Sequence, residues 1–341
     1  MLTLRSRLLA ALATVVAGAA LVVLPGSQPA VGAGGVPQVS GARYVGDFPD
    51  PSVVRAGNTY YAYATNTSNL NLPTVKSTDL KTWAAVGDAL PRAVGWARSV
   101  RIGGRTVSRT WAPDVAWVRD HFVAAYAVPV SGGSKPKRCL TLATSSSAAG
   151  PFTDSSSGPL VCPSDQGAID PQVYVAGRTP YLLWKTEGVV GRAPTRLWSR
   201  RLDAEGTGFA DGSSATELLH TELSWEGNVI ENPAMIRVNG LTYLFYSANE
   251  YRAADYAVGY AVCRGPSGPC ERPSTRPLLA SGGGVEGPGG PSPVMGPDGR
   301  LMMAYAAWDA GRIGYPRYGR RLHTATLAIG EDGRLRVTDR G

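Results

Sequence analysis

The chain has 341 residues, 34 of them lysine or arginine against 26 aspartate or glutamate, for a formal charge of +8, and 43% of them are hydrophobic. The basic residues are scattered rather than clustered, so the nucleic-acid footprint of a basic stripe is missing and a mildly basic, solvated exterior is expected. Only three histidines and four cysteines are present, too few and too widely spaced for a zinc or redox motif.

The first segment, "MLTLRSRLLAALATVVAGAALVVLPGSQPAVGAGG", carries Arg5 and Arg7, an apolar run from Leu8 to Leu24, and Val31-Gly32-Ala33 as a small-residue cleavage site. It reads as a secretory signal peptide over residues 1–33. An uncleaved anchor is the alternative, because the apolar run is just long enough to span a bilayer. No later segment is continuously apolar for that length. The expectation is therefore a secreted, extracellular monomer comprising residues 34–341, with no membrane association after cleavage.

Next comes "GDFPDPSVVRAGNTYYAYATN", in which Asp50 stands between Pro49 and Pro51. Proline disfavours the α region for the residue before it, so an extended, stiff stem is expected for this carboxylate. The pattern then recurs in "TWAPDVAWV", "AIDPQVYV", "IENPAMIRV" and "GPGGPSPVM", whose prolines Pro113, Pro171, Pro233 and Pro291 follow Pro51 at intervals of about 60 residues. Each is followed by a turn and a second apolar strand: "YYAYAT", "FVAAYA", "YLLWKT", "YLFYSA" and "LMMAYAA". Further short runs such as "CLTLATSSSAAGPF" and "YAVGYAVCRGPSGP" read as outer strands, and helical periodicity is nearly absent after residue 33. Five units of roughly four strands each predict an all-β, five-bladed β-propeller filling residues 34–341. A β-sandwich is the weaker competitor, since it does not call for five matching units. Cys139 with Cys162, and Cys263 with Cys270, each close a local loop and are the favoured disulfides in an exported protein.

If the prolines mark the innermost strands, Asp50, Asp170 and Glu231 converge from three blades at one end of the axis. Carboxylates crowded in a pocket repel one another, which raises the pKa of at least one and suits it to donate a proton. Asp114 follows its proline, so strand alternation turns it away and a structural role is expected. Glu226 in "SWEGNVIENP" is a rival for the acid, read as an exposed loop group or a substrate contact. Trp111 is a candidate stacking platform for a sugar. Trp225 or Tyr246 is expected to limit solvation of the donor, and the tracts "WARSVRIGGRTVSRT" and "NEYRAADY" are candidate rim walls.

Together, "FPDPSVV", "TWAPDVAWV", "AIDPQVYV" and "IENPAMIRVNGLTYLFYSA" resemble glycoside hydrolase family 43, the arabinanases, α-L-arabinofuranosidases and β-xylosidases. The resemblance covers essentially residues 34–341. It implies a five-bladed propeller that hydrolyses arabinofuranosyl or xylosyl linkages of plant cell-wall polysaccharide with inversion. It also implies Asp50 as general base, Glu231 as general acid and Asp170 as the group that orients the donor and tunes its pKa. The chain departs from the family where a channel histidine is common: "YAAWD" and "GPGGPSPV" carry none. No cofactor is expected to be required, and a channel metal ion is not supported by the positions of His121, His220 and His323. The missing histidine motivates an alternative, a catalytically weakened propeller that binds carbohydrate. A retaining fructosidase-type enzyme fits less well, because this chain reads "PDPSV" and "ENP" where that type carries "NDPNG" and a Glu-Cys pair.

Overall fold

Each of the five proline segments begins or interrupts the innermost strand of a separate antiparallel sheet. The computed structural model describes residues 43–340 apart from 45, 93, 131–136, 164–166 and 189–192. The signal segment expected over residues 1–33 lies outside the described residues. Blade 1 comprises Ser52–Ala56, Thr59–Tyr63, Pro73–Ser77 and Ala84–Asp88, paired in chain order. Blade 3 (Ala168–Ala176, Thr179–Thr186, Arg196–Arg201, Thr216–His220), blade 4 (Ile230–Val238, Leu241–Ala248, Ala257–Cys263, Cys270–Glu271) and blade 5 (Val285–Met295, Leu301–Asp309, Arg321–Ile329, Leu335–Asp339) repeat that order. Blade 2 has three strands, Trp111–Val118, His121–Val130 and Lys137–Ser145. Its outer edge is completed by isolated bridges from Leu140 to Val161 and Thr144 to Thr153, where a Ser- and Pro-rich stretch replaces a fourth strand. The architecture is the five-bladed β-propeller anticipated from the repeat.

The apolar core is divided in the same fivefold way. Each of five clusters lies between two adjacent blades, as where Tyr63 and Leu72 of blade 1 meet Val115 and Tyr126 of blade 2. The ring closes between blades 5 and 1, where Val53, Tyr60 and Ala62 pack with Val294, Met302 and Ala304. The first described residues reinforce that seam: Arg43 and Phe48 donate backbone N–H groups to the carbonyls of Leu322 and Arg320. Both anticipated disulfides form, Cys139–Cys162 beside the incomplete edge of blade 2 and Cys263–Cys270 between the third and fourth strands of blade 4.

A hydrogen-bonded ring ties the five inner strands together. The residue after each proline offers its side chain to the backbone N–H two positions after the proline of the next blade. Ser52 accepts from Val115, Asp114 from Val173, Gln172 from Met235, and Ser292 from Val53. In the remaining step Ala234 has no acceptor, and the residue it faces in sequence register is Pro293, which has no N–H to satisfy. Asp114 also accepts from the Ser52 hydroxyl at 2.8 Å, so it is a stitch across three blades, in keeping with the structural role expected of it.

One expectation about the backbone is corrected. Asp50 is not extended: its φ is +52°, and the residues before the other prolines, Ala112, Asp170, Asn232 and Gly290, have φ of +39°, +54°, +51° and +65°. The pre-proline restriction excludes right-handed helix, and here the chain takes the left-handed region instead. Register shifts on blades 2 to 5 show that this conformation forms a bulge in the inner strand, a device that re-aims side chains. Asp and Asn accept such a φ more readily than other non-glycine residues.

Replacing Ser292 by Ala leaves the buried Val53 N–H without its partner. A loss of about 1–3 kcal/mol is expected, measured as a lower midpoint in urea with an unchanged denaturant slope.

Candidate active site

The bulges define two stacked rings of side chains. The five prolines and the residues that flank them line a narrow axial channel of about 30 Å3, room for roughly one water. Above it opens a cleft of about 640 Å3, whose floor includes Asp50, Asp170, Glu231 and Asn232 and whose walls include Trp111, Tyr251 and Tyr315. The structure thus brings Asp50, Asp170 and Glu231 into one cavity from blades 1, 3 and 4.

Their repeat positions differ from those expected. Asn232, not Glu231, is the residue equivalent to Asp50 and Asp170, immediately before its proline. Glu231 stands one residue earlier, at the position that holds Pro49, Trp111, Ile169 and Gly289 in the other blades. Four of those five residues line the cleft. The fifth, Gly289, makes room for Tyr256, because a Cβ there would lie 2.0 Å from the Tyr256 ring.

Each acid has a distinct surrounding. Asp50 accepts from the Thr65 hydroxyl at 2.7 Å and faces Arg320 with Nη1 3.7 Å from Oδ1. Burial pushes its carboxyl above the usual range, an effect opposed by Arg320 and Thr65 and reinforced by Glu231. Asp170 is 6% exposed and accepts from the Asn232 N–H at 3.0 Å. Burial and then the neighbouring Glu231 charge hold it well above the ordinary carboxylate range, against the pull of Lys185. Glu231 is bracketed: Lys185 Nζ lies 2.8 Å from Oε2, and the Tyr256 hydroxyl lies 2.6 Å from Oε1.

Tyr256 bridges Glu231 and Asn232. Its hydroxyl also lies 2.8 Å from Asn232 Oδ1, so one phenolic proton faces two acceptor oxygens. In the shorter contact the phenol donates to Glu231 Oε1; with the phenolic proton turned to Asn232 instead, a proton on Oε1 satisfies that contact. Charge counting points the same way. Asp50, Asp170 and Glu231 oppose Lys185 and Arg320, so a single proton on the carboxylates makes these five groups neutral, which a buried site favours.

Lys185, Tyr256, Arg320, Thr65 and Asn232 were not singled out from sequence. A lysine ending the apolar strand "YLLWKT" was a readable signal of a buried, paired charge. Arg320, in contrast, lies 270 residues from Asp50 and adjoins Arg321 without any local mark. Its guanidinium is 1% exposed, donates from Nη2 to the Ala306 carbonyl at 2.9 Å, and lies 5.0 Å from the Tyr256 ring centre. Ala306 is where a channel histidine was sought. The guanidinium beside it, rather than a set of cation ligands, is what this site presents, so the residues do not fit a channel metal ion. The grouping of Asp120, His121 and Glu205 lies on a separate outer groove and contributes nothing to the cleft.

The reading of Glu226 as a substrate contact is corrected. Glu226 is fully buried in a one-turn 3-10 helix, Ser224–Glu226. Its carboxylate accepts from Arg272, Tyr246 and the N–H groups of Glu222 and Leu223, which uses both oxygens. Trp225 and Tyr246 stack on each other beside this pair, so Tyr256, not they, contacts the Glu231 carboxylate. Trp111 is 40% exposed at the cleft wall, with the Arg138 guanidinium 3.4 Å from its ring centre, leaving part of the indole open. Of the two rim tracts, Asn249, Glu250 and Tyr251 line the cleft, held in part by Trp308 Nε1 donating to the Tyr251 carbonyl. The other tract forms a small hairpin, Val100–Ile102 with Arg105–Val107, and its arginines are absent from the cleft lining.

A propeller whose axial cleft gathers three carboxylates from separate blades, with a cation beside two of them, is the arrangement of an acid-base hydrolase acting on a sugar linkage. The comparisons give the family: glycosyl hydrolases family 43 matches residues 44–335, and the chain belongs to it. It is a glycoside hydrolase of that family. A thermostable family-43 glycoside hydrolase of known structure is 26% identical, with a TM-score of 0.74 over 88% of this chain and 97% of that one. An endo-1,4-beta-xylanase from Bacteroides thetaiotaomicron VPI-5482 is 27% identical, with a TM-score of 0.71 over 87% and 96%. An alpha-L-arabinofuranosidase from Lactobacillus brevis, 17% identical, shares the fold with a TM-score of 0.69 over 89% and 98%. No curated protein sequence matches the chain.

Two outcomes follow from this geometry. Glu226→Ala takes from Arg272 its buried carboxylate, leaving it the exposed Glu222 and the His220 carbonyl, and should cost roughly 1–3 kcal/mol of stability. The turnover of the protein that remains folded should be unchanged, as checked by melting and by active-site-normalised rates. Arg320→Met removes the cation that opposes the rise in the Asp50 pKa. Asp50 is the expected base and must be ionised to act, so the acidic limb of kcat/KM should move to higher pH, read from a pH–rate profile on folded protein.

Proposed function

We propose that the protein is an exported, inverting hydrolase that cleaves arabinofuranosyl or xylosyl linkages in plant cell-wall polysaccharides such as arabinan or arabinoxylan. The observation that carries this reading is the convergence of Asp50, Asp170 and Glu231 on one cleft above a narrow channel. Family membership and the likeness to the xylanase and arabinofuranosidase structures support a pentose-containing substrate. The partner is a polysaccharide or oligosaccharide, and the protein acts as a monomer.

In this mechanism Asp50, ionised, polarises a water on the face of the sugar opposite the leaving group. The water attacks the anomeric carbon and gives its proton to Asp50, while the glycosidic C–O bond breaks and Glu231 passes its proton to the departing oxygen. Inversion requires acid and base about 6.5–9.5 Å apart, so that a water fits between base and sugar. Carriage on blades 1 and 4 suits such a separation. Asp170, which accepts from the Asn232 N–H, stands beside Glu231 and orients the donor. Trp111 offers its open indole surface to a sugar ring.

The test is release of p-nitrophenol from the α-L-arabinofuranoside and the β-D-xyloside, with reducing-sugar release from arabinan and arabinoxylan. Asp50→Asn should lose about 10²–10⁴-fold in rate on every substrate, and NMR of the first product should show the inverted anomer. Full activity of Asp50→Asn, or a retained anomer, would sink the reading.

A further inference from the structure

Lys185 is a charged side chain in a place where charge is costly. It lies next to the end of the second strand of blade 3, pairs with Ile169 across that sheet, and its side chain is 7% exposed. Its ammonium reaches out of its own blade to Glu231 Oε2 on blade 4 at 2.8 Å. The acidic groups facing it are Glu231, Asp170 and Glu187, and they hold its pKa above the usual value although burial alone would lower it. Lys185 is therefore a fixed cation throughout the working range. Glu231 is faced in addition by the Tyr256 hydroxyl, and beyond Tyr256 stand Arg320 and Asp50.

We propose that Lys185 is the positioning residue of the proton donor: its ammonium fixes Glu231 by Oε2, leaves Oε1 to carry the proton, and takes up the charge Glu231 acquires when that proton leaves. The inference rests on the reading of Glu231 as general acid. In the hydrolytic step Glu231 begins neutral and ends as a carboxylate, so the interaction with Lys185 is stronger at the transition state than before it, which is the condition for catalysis. The cation is already in place and needs no reorganisation.

This role predicts a dependence on the leaving group that a packing role does not. An oxygen that departs easily needs little protonation, whereas a sugar hydroxyl needs a full proton. Lys185→Met, with Lys185→Gln as a second variant should the first fail to fold, should lose about 10²-fold or more in kcat on a xylo- or arabino-oligosaccharide. On the 2,4-dinitrophenyl glycoside of the same sugar it should change by less than about threefold, since that departure draws little on general acid catalysis. Without the cation the Glu231 carboxylate is less favoured, so the basic limb of the pH–rate profile should move to higher pH. Lys185→Arg should restore the oligosaccharide rate and return the limb toward its original place. Equal losses on both leaving groups, or an unmoved basic limb in folded protein, would overturn the proposal. Glu231→Gln, run alongside, separates the two ideas. If it too loses both substrates equally, the assignment of Glu231 as acid is wrong; if it spares only the dinitrophenyl substrate while the lysine variants do not, Lys185 alone is misassigned.

Discussion

The interblade ring around the axis is the constraint from which the rest of the structure follows. A propeller has no covalent closure, and its blades present inner strands whose outward N–H groups need acceptors. Here four of five are served by the side chain one residue past the neighbouring proline, and the fifth junction has neither donor nor acceptor. The substitution of serine, aspartate or glutamine at the accepting position changes the donor partners without changing the geometry. Matching Ala234 with Pro293 removes both groups together, which avoids the penalty of leaving a buried polar group alone. Because the ring fixes all five prolines, the residue before each is also fixed, in a left-handed conformation and at the mouth of the channel.

That conformation connects the architecture to the chemistry. A left-handed non-glycine residue costs on the order of 1–3 kcal/mol, and four blades accept this. The return is a bulge that points two successive side chains toward the axis, one into the channel mouth and one into the cleft. Asp50 and Asp170 use the first position, while Glu231 uses the second. The longer glutamate thus stands one residue higher than the aspartates, in the ring that also carries Trp111. The proposed acid donor and the candidate sugar platform are equivalent positions on blades 4 and 2, which places them at a common height around the cleft.

The architecture was legible because it is written in local, repeated signals: an X-Pro step about every 60 residues, a following turn and a paired apolar strand. The two disulfides were legible for the same reason, since each closes a short loop within its own blade. What was misread depended on conformations or partners that local sequence does not encode. The pre-proline rule excludes one region of backbone space without choosing between the others, so Asp50 was taken as extended. Glu226 and Glu231 have comparable sequence surroundings, and only Arg272, 46 residues away, reveals which is stapled. Lys185 is likewise 46 residues from Glu231, and Arg320 joins the site from the opposite end of the chain.

Comparison of the two glutamates shows why pairing with a cation does not by itself make a carboxylate inert. Glu226 meets Arg272, a phenol and two backbone donors, all offering hydrogen, in a site closed to solvent. Every partner stabilises the anion and none leaves a route for a proton to reach a substrate, so the group can only hold its loop. Glu231 meets one cation and one phenol whose single proton has a second acceptor in Asn232, and its side chain remains 14% exposed toward the cleft. There the anion and the acid are each satisfied by a small shift of a shared proton. Three carboxylates against two cations then favour keeping that proton within the group, and the cleft gives it somewhere to go. The distinction between a structural and a reactive acid lies in this balance of donors and in access to the cavity rather than in burial or charge pairing alone.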